Sequence, residues 1–200
     1  MLTETVKRRL AALGGISKQG KRINGLFRLL ENQCLFVEAY ASIHANRGAT
    51  TKGVDGSSLD GFSKERVAEI IHRLKSGTYR FHPVRRVQIP KANGKTRPLG
   101  ISTGNDKLIQ EVVRGILERI YEPIFSRWSH GFRPHKSPHT ALTEISSTWT
   151  AVKWIVDMDI QSYFTSIDHK ILVQLLEKKI ADPRFINLIK DLLKAGYLED

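Results

Sequence analysis

Between residues 24 and 45, apolar side chains return at helical spacing (Leu26, Leu29, Leu30, Phe36, Val37, Tyr40), which predicts a helix. A second helix is predicted after Ser63, whose hydroxyl can cap it. Its apolar stripe is Val67, Ile70, Ile71 and Leu74, and Gly77 ends it. The period then changes. Tyr79 to Ile89 is rich in β-branched and aromatic residues, Asn93-Gly94 supplies a tight turn, and Thr96 to Ile101 returns, so a β-hairpin is predicted. A strongly amphipathic helix follows, with Leu108, Ile109, Val112, Val113, Ile116, Leu117 and Ile120 on one side and Pro123 at its end. Val152 to Ile160 reads as a buried strand. Two further helices are predicted, from Lys170 to Ile180 and from Asp182-Pro183 up to Gly196. Helices and strands in this irregular order predict an α+β fold with a small, mostly antiparallel sheet.

The stretches between these elements are polar or glycine-rich. Gly14 to Arg22 reads as a flexible basic linker, and Arg47 to Gly56 as a glycine-rich loop. There is no internal repeat. No apolar run approaches the ~18 residues a membrane-spanning helix needs. The basic start, Met1 to Leu13, lacks the apolar stretch of a secretory signal. A mitochondrial targeting role stays open, because Lys7, Arg8, Arg9, Lys18, Lys21 and Arg22 face one acid, Glu4. The single Cys34 excludes an internal disulfide and fits a reducing compartment.

Charge changes this picture. Residues 1–100 hold 19 bases against 7 acids, whereas residues 101–200 hold 13 of each. The net charge of +12 therefore sits in the first half, where it attracts polyanions, nucleic acid first among them. A solvated basic surface without a partner is the alternative.

Two stretches carry candidate chemistry. Trp154 to Phe164 is an apolar run ending in acids; alternation would put Asp157 and Asp159 on one face of a strand. Hard cations such as Mg²⁺ take oxygen ligands of this kind, although an acid at a strand end also serves as a cap or surface charge. The hairpin supplies the complement. Arg85 and Arg86 precede it, and Lys91, Lys95 and Arg97 surround its turn, as a clamp for a triphosphate would. Lysines that guard a sheet edge are the competing reading. His130, His135 and His139 have metal-like spacing but no cysteine nearby, and hydrogen-bonding histidines are expected.

Taken in order, these stretches resemble the group II intron-encoded reverse transcriptases. Pro83 to Ile101 resembles the first block of that family, Ser129-His130-Gly131-Phe132-Arg133-Pro134 the second, and Asp159 to His169 the third. Lys21 to Leu30 with Asn46-Arg47-Gly48-Ala49 is similar to the family's N-terminal extension, and Lys194 to Asp200 also fits. The resemblance implies the fingers and incomplete palm of a right-hand polymerase: a basic tail (1–23), fingers with the extension (24–148) and the start of the palm (149–200). It implies an RNA-directed DNA polymerase that assists splicing; a split or degenerate maturase that only binds RNA is the alternative.

Site residues follow from the same resemblance. Asp159, assisted by the carbonyl of Ile160, would hold both catalytic Mg²⁺ ions. Lys91 and Arg97 would clamp the dNTP phosphates. Phe164 would be the steric gate against a ribose, unless it is a core aromatic. Arg133 would support template or fingers geometry, or form a buried ion pair. Lys18, Lys21 and Arg22 would grip intron RNA, with Arg47, Arg85, Arg86 and Lys95 adding nucleic-acid contacts. The implied partners are intron RNA, an RNA template with a DNA primer, dNTP and the remainder of the polymerase, in a bacterial cytoplasm or an organelle matrix and away from membranes. Two departures stand out. Where the family shows a basic-glycine pair and an Asp-Asn, this chain has Gln161, Ser162, Thr165 and Ser166. The family's Pro-Gln-Gly block and Tyr-x-Asp-Asp hairpin, which carries the other metal carboxylates, are not among these residues. The expectation is therefore a fragment that cannot assemble a two-metal site alone.

Overall fold

The computed structural model describes residues 2–92 and 94–199, with the side chain of Thr165 left aside. The Asn93 half of the expected Asn-Gly turn lies outside the described residues. The longest helix described, α4 (Gly104–Tyr121), is the spine of the core. Thr103 caps it through a hydrogen bond from the Asp106 amide, and Leu108, Ile109, Val112, Val113, Ile116 and Ile120 are buried along one side. Each such side chain contributes about 1.5–3 kcal/mol when fully buried. Helices α1 (Glu4–Lys18) and α2 (Gln33–Ile43) pack against α4, and α3 (Lys64–Lys75) packs on α2.

The predicted linker at Gly14 to Arg22 is a helix as far as Lys18. Leu10, Leu13 and Ser17 of α1 are buried. Gly14 allows close packing instead: a Cβ there would meet the Pro123 ring at 2.9 Å and the Arg119 carbonyl at 3.3 Å. The predicted helix over 24–45 divides in two. A 3-10 turn (Phe27–Glu31) ends at Asn32, which is extended and accepts a hydrogen bond from the Cys34 amide to cap α2. Cys34 itself is half-buried.

Strand β1 (Val84–Pro90) runs through the middle of a three-stranded mixed sheet. It pairs antiparallel with β2 (Thr96–Ile101) from Arg85↔Ile101 to Pro90↔Thr96. On its other side it pairs parallel with β3 (Tyr197–Glu199). The strand starts at Val84, not at Tyr79. The Tyr79 hydroxyl donates to the buried Asp106 carboxylate at 2.7 Å, and Asp106 also accepts from the His82 amide, which ties this segment to α4.

Helix α5 (Pro138–Thr148) was not predicted, yet Ser137 and Thr140 form a full capping box ahead of it, with Pro138 in its first turn. A short α6 (Tyr163–Ser166) precedes α7 (His169–Glu177) and α8 (Pro183–Lys194), both capped by aspartates. Asp182 caps α8 and also accepts from the Phe27 amide at 2.8 Å, joining residues far apart in the chain.

The strand expected at Val152 to Ile160 is not formed. Among the described residues no strand pairs with it, and Trp154, Ile155, Val156, Met158 and Ile160 are all exposed. A strand apolar on both faces needs neighbours on both sides. None of the described elements covers either face of this segment.

Candidate nucleotide and nucleic-acid site

The hairpin presents its basic residues at the tip. The Lys91 amide donates to the Lys95 carbonyl at 2.6 Å, and Gly94 takes a positive φ of 76°, a conformation glycine adopts without penalty. Arg97 sits opposite Ile89 in the ladder. Lys91, Lys95 and Arg97 are exposed, so three cations stand at the end of a twisted ribbon.

Arg85 and Arg86 sit further back and are held by the protein. Arg85 donates through Nε and Nη2 to the Lys52 carbonyl at 3.3 and 3.1 Å. Arg86 lies 3.2 Å over the Tyr197 ring and pairs with Glu199 at 3.2 Å, which fastens β3 to β1. Arg47 is exposed at the start of the glycine-rich loop. Behind it, Lys107 Nζ donates to the Gly48 and Thr51 carbonyls at 2.9 and 2.7 Å, and burial lowers its pKa.

Arg133 is committed to a structural ion pair. Its Nε and Nη2 donate to Glu122, and its Nη1 donates to the Ser126 and Ser129 carbonyls at 2.6 and 2.7 Å. These bonds hold the Glu122 carboxyl below its usual range and raise the arginine. Around it, Phe132 and His135 take positive φ angles of 55° and 59°, unusual for non-glycine residues. The ion pair expected for Arg133 is present, with Glu122. The guanidinium braces the loop from which Phe132 projects, fully exposed.

The acidic run stands apart from the sheet. Asp157 and Asp159 are exposed on an unpaired segment, followed by Ile160. Ser162 then turns the chain through φ 54° into α6, which places Phe164, 81% exposed, against Tyr163. Glycine takes a left-handed turn freely, whereas Ser162 holds it with some strain. Among the described residues no three of His, Cys, Asp and Glu converge into a metal cluster. His130 is used elsewhere, with Nδ1 2.8 Å from the Thr140 hydroxyl and Nε2 3.4 Å from Glu144.

The N-terminal bases Lys18, Lys21 and Arg22 are exposed at the end of α1. Arg22 donates to the Ile180 carbonyl at 3.2 Å, so this end is docked and is not a loose tail. The sequence reading missed the bases facing it across that contact, Lys178 and Lys179. Their lysine-lysine pair was the signal available.

Comparison with known proteins connects these features. Residues 89–199 match the reverse transcriptase (RNA-dependent DNA polymerase) family. The chain is 46% identical to the group II intron-encoded protein LtrA of Lactococcus lactis subsp. cremoris, over 98% of this chain and 34% of that protein. It is 45% identical to an uncharacterized 91 kDa protein in the cob intron of Schizosaccharomyces pombe, over 86% of this chain and 21% of that protein. Nuclear intron maturase 1, mitochondrial, of Arabidopsis thaliana is 34% identical over 44% of this chain and 12% of its own length. The chain thus spans about a third of LtrA and less of the other two.

Proposed function

The chain belongs to the reverse transcriptase (RNA-dependent DNA polymerase) family, on its group II intron-encoded branch, and from that premise we propose that the protein copies RNA into DNA and binds its intron RNA to assist splicing. The observation that carries the proposal is a pairing inside the family-matched residues. A cationic hairpin tip (Lys91, Lys95, Arg97) and a carboxylate in an apolar run (Asp159, two residues after Asp157) offer opposite charges to one substrate.

Lys91 and Arg97 hold the triphosphate of the incoming dNTP, Lys91 as a point charge and Arg97 by its fork. The Phe164 ring stands against the sugar and excludes a 2′-hydroxyl. The Asp159 carboxylate and the Ile160 carbonyl are hard oxygen donors that suit Mg²⁺. When bound, two such ions lower the pKa of the attacking primer hydroxyl and neutralise the leaving pyrophosphate. One carboxylate does not hold two ions, so the proposal assigns the others to polypeptide outside these 200 residues. Lys18, Lys21, Arg22, Arg47, Arg85, Arg86 and Lys95 neutralise phosphates of intron RNA, template and primer. Arg133 contributes indirectly, by shaping its loop. The proposed setting is a bacterial cytoplasm or an organelle matrix; no helix of the described residues is long and apolar enough to cross a membrane.

A second reading is an RNA-binding maturase without catalysis, supported by the net positive charge carried by the first 100 residues. One experiment separates the two. The natural polypeptide that contains these residues is given a DNA primer on an RNA template with dNTP and Mg²⁺. Primer extension supports the polymerase. Tight intron-RNA binding with no extension supports the second reading.

A further inference from the structure

The end of α1 and the α7–α8 corner are distant in sequence but built as one unit. The Ile23 amide donates to the Lys179 carbonyl at 2.8 Å, and the Ala181 amide donates to the Ile23 carbonyl at 2.7 Å, forming a parallel bridge between Ile23 and Ile180. Lys179 Nζ donates to the Ser17 carbonyl at 2.9 Å, beside the Arg22 contact to Ile180. Ile23 and Ile180 are buried beneath this seam.

Over the seam the surface is mostly positive: Glu177, beside Lys178, pairs with Lys190 at 3.4 Å, and Arg184 lies over the Phe27 ring at 4.0 Å. Residues 16–23 contribute Lys18, Lys21 and Arg22, and residues 178–184 contribute Lys178, Lys179 and Arg184. The single acid in these two segments is Asp182, which is buried and accepts from the Phe27 and Phe185 amides, so it does not cancel the surface charge. Neither segment contains an aromatic residue. Single-stranded nucleic acid is gripped largely by bases stacking on exposed rings, whereas duplex RNA is bound through phosphates and shape.

We propose that the end of α1 and the α7–α8 corner form one phosphate-binding ridge for base-paired RNA, in which Lys178 takes part alongside Lys18 and Lys21. The inference rests on the RNA-binding reading above and adds a second, rigidly attached half to it. Because the bridge fixes the two segments, the ridge meets a helical backbone without first having to be ordered.

The test uses the 200-residue chain and a short RNA hairpin, with binding measured across a range of salt. Lys178→Gln should make the plot of log affinity against log salt shallower by about one, and Lys18→Gln, Lys21→Gln and Lys178→Gln together by about three. Lys64→Gln, an exposed lysine on α3, should leave the slope unchanged. Circular dichroism should show all variants folded, since every substituted side chain is exposed. A Lys178→Gln slope equal to wild type, with the Lys18/Lys21 variant reduced, would remove the α7–α8 corner from the footprint while RNA binding stands. Equal affinity for a single strand, lost with the same lysines, would overturn the base-paired assignment. Failure of the unaltered chain to bind the hairpin at low salt would overturn both the ridge and the RNA-binding reading.

Discussion

Asp106 is almost wholly buried, and every bond around it explains how a carboxylate survives there. The Tyr79 and Thr103 hydroxyls and the His82 amide all donate to it. Burial first, and then the Asp106 charge, pushes the Tyr79 phenol well above its ordinary 10.0. A group whose pKa is raised by folding contributes stability below its unfolded value, and loses it as pH rises toward the folded one. Tyr79→Phe should therefore cost about 1–3 kcal/mol at neutral pH, and the gap from wild type should close above pH 10. Urea titrations at neutral and alkaline pH check this; parallel stability curves across that range would contradict it. Arg133 gives a second residue-scale expectation. Arg133→Lys keeps the charge but loses the fork, so amide exchange should quicken across residues 126–136 nearly as much as in Arg133→Ala. Protection retained by the lysine variant would show that charge alone suffices.

Element by element, the chain is legible wherever local chemistry decides the outcome. Ser63 caps α3, Gly77 follows it with a positive φ of 70°, and the apolar stripe of α4 is buried as its spacing predicts. Elements were missed where tertiary contact overrides the local signal. Gly14 and Gly15 read as a linker because glycine weakens a helix, yet close approach to Pro123 makes a small residue necessary at Gly14. Asn32 was an available cap signal that went unread inside an apolar period. Gly104 shows the same physics in a test. A Cβ there would collide with the Ser58 carbonyl and the Arg66 guanidinium, so Gly104→Ala should destabilise by about 1–3 kcal/mol. Gly115→Ala, on the same helix, would meet only the Arg119 side chain at 3.4 Å and should be neutral or stabilising by up to about 1 kcal/mol. Chemical denaturation of the two variants checks both signs.

At the scale of the whole molecule, the buried core and the candidate catalytic residues occupy different parts of the chain. No apolar side chain described between Tyr121 and Leu172 is buried, and Asp159 and Phe164 lie in that stretch. The order of the motifs made the family legible in the sequence, and a small mixed sheet beside a helical core agrees with the α+β expectation. The assembled site was not legible to the same degree. An apolar segment announces that it will be covered, but not by which surface, and the hairpin and the acidic run share no strand pairing here. The basic half of the charge distribution proved more structured than expected, with α1 docked and bridged to the α7–α8 corner.

The account turns on Asp159 as the metal-holding carboxylate, and the direct measurement is primer extension by Asp159→Ala in the natural polypeptide that contains these residues, at saturating Mg²⁺. Extension should fall at least about a thousandfold, the scale of several kcal/mol of lost metal stabilisation, with RNA-hairpin affinity unchanged. Extension within about tenfold of wild type would contradict the account.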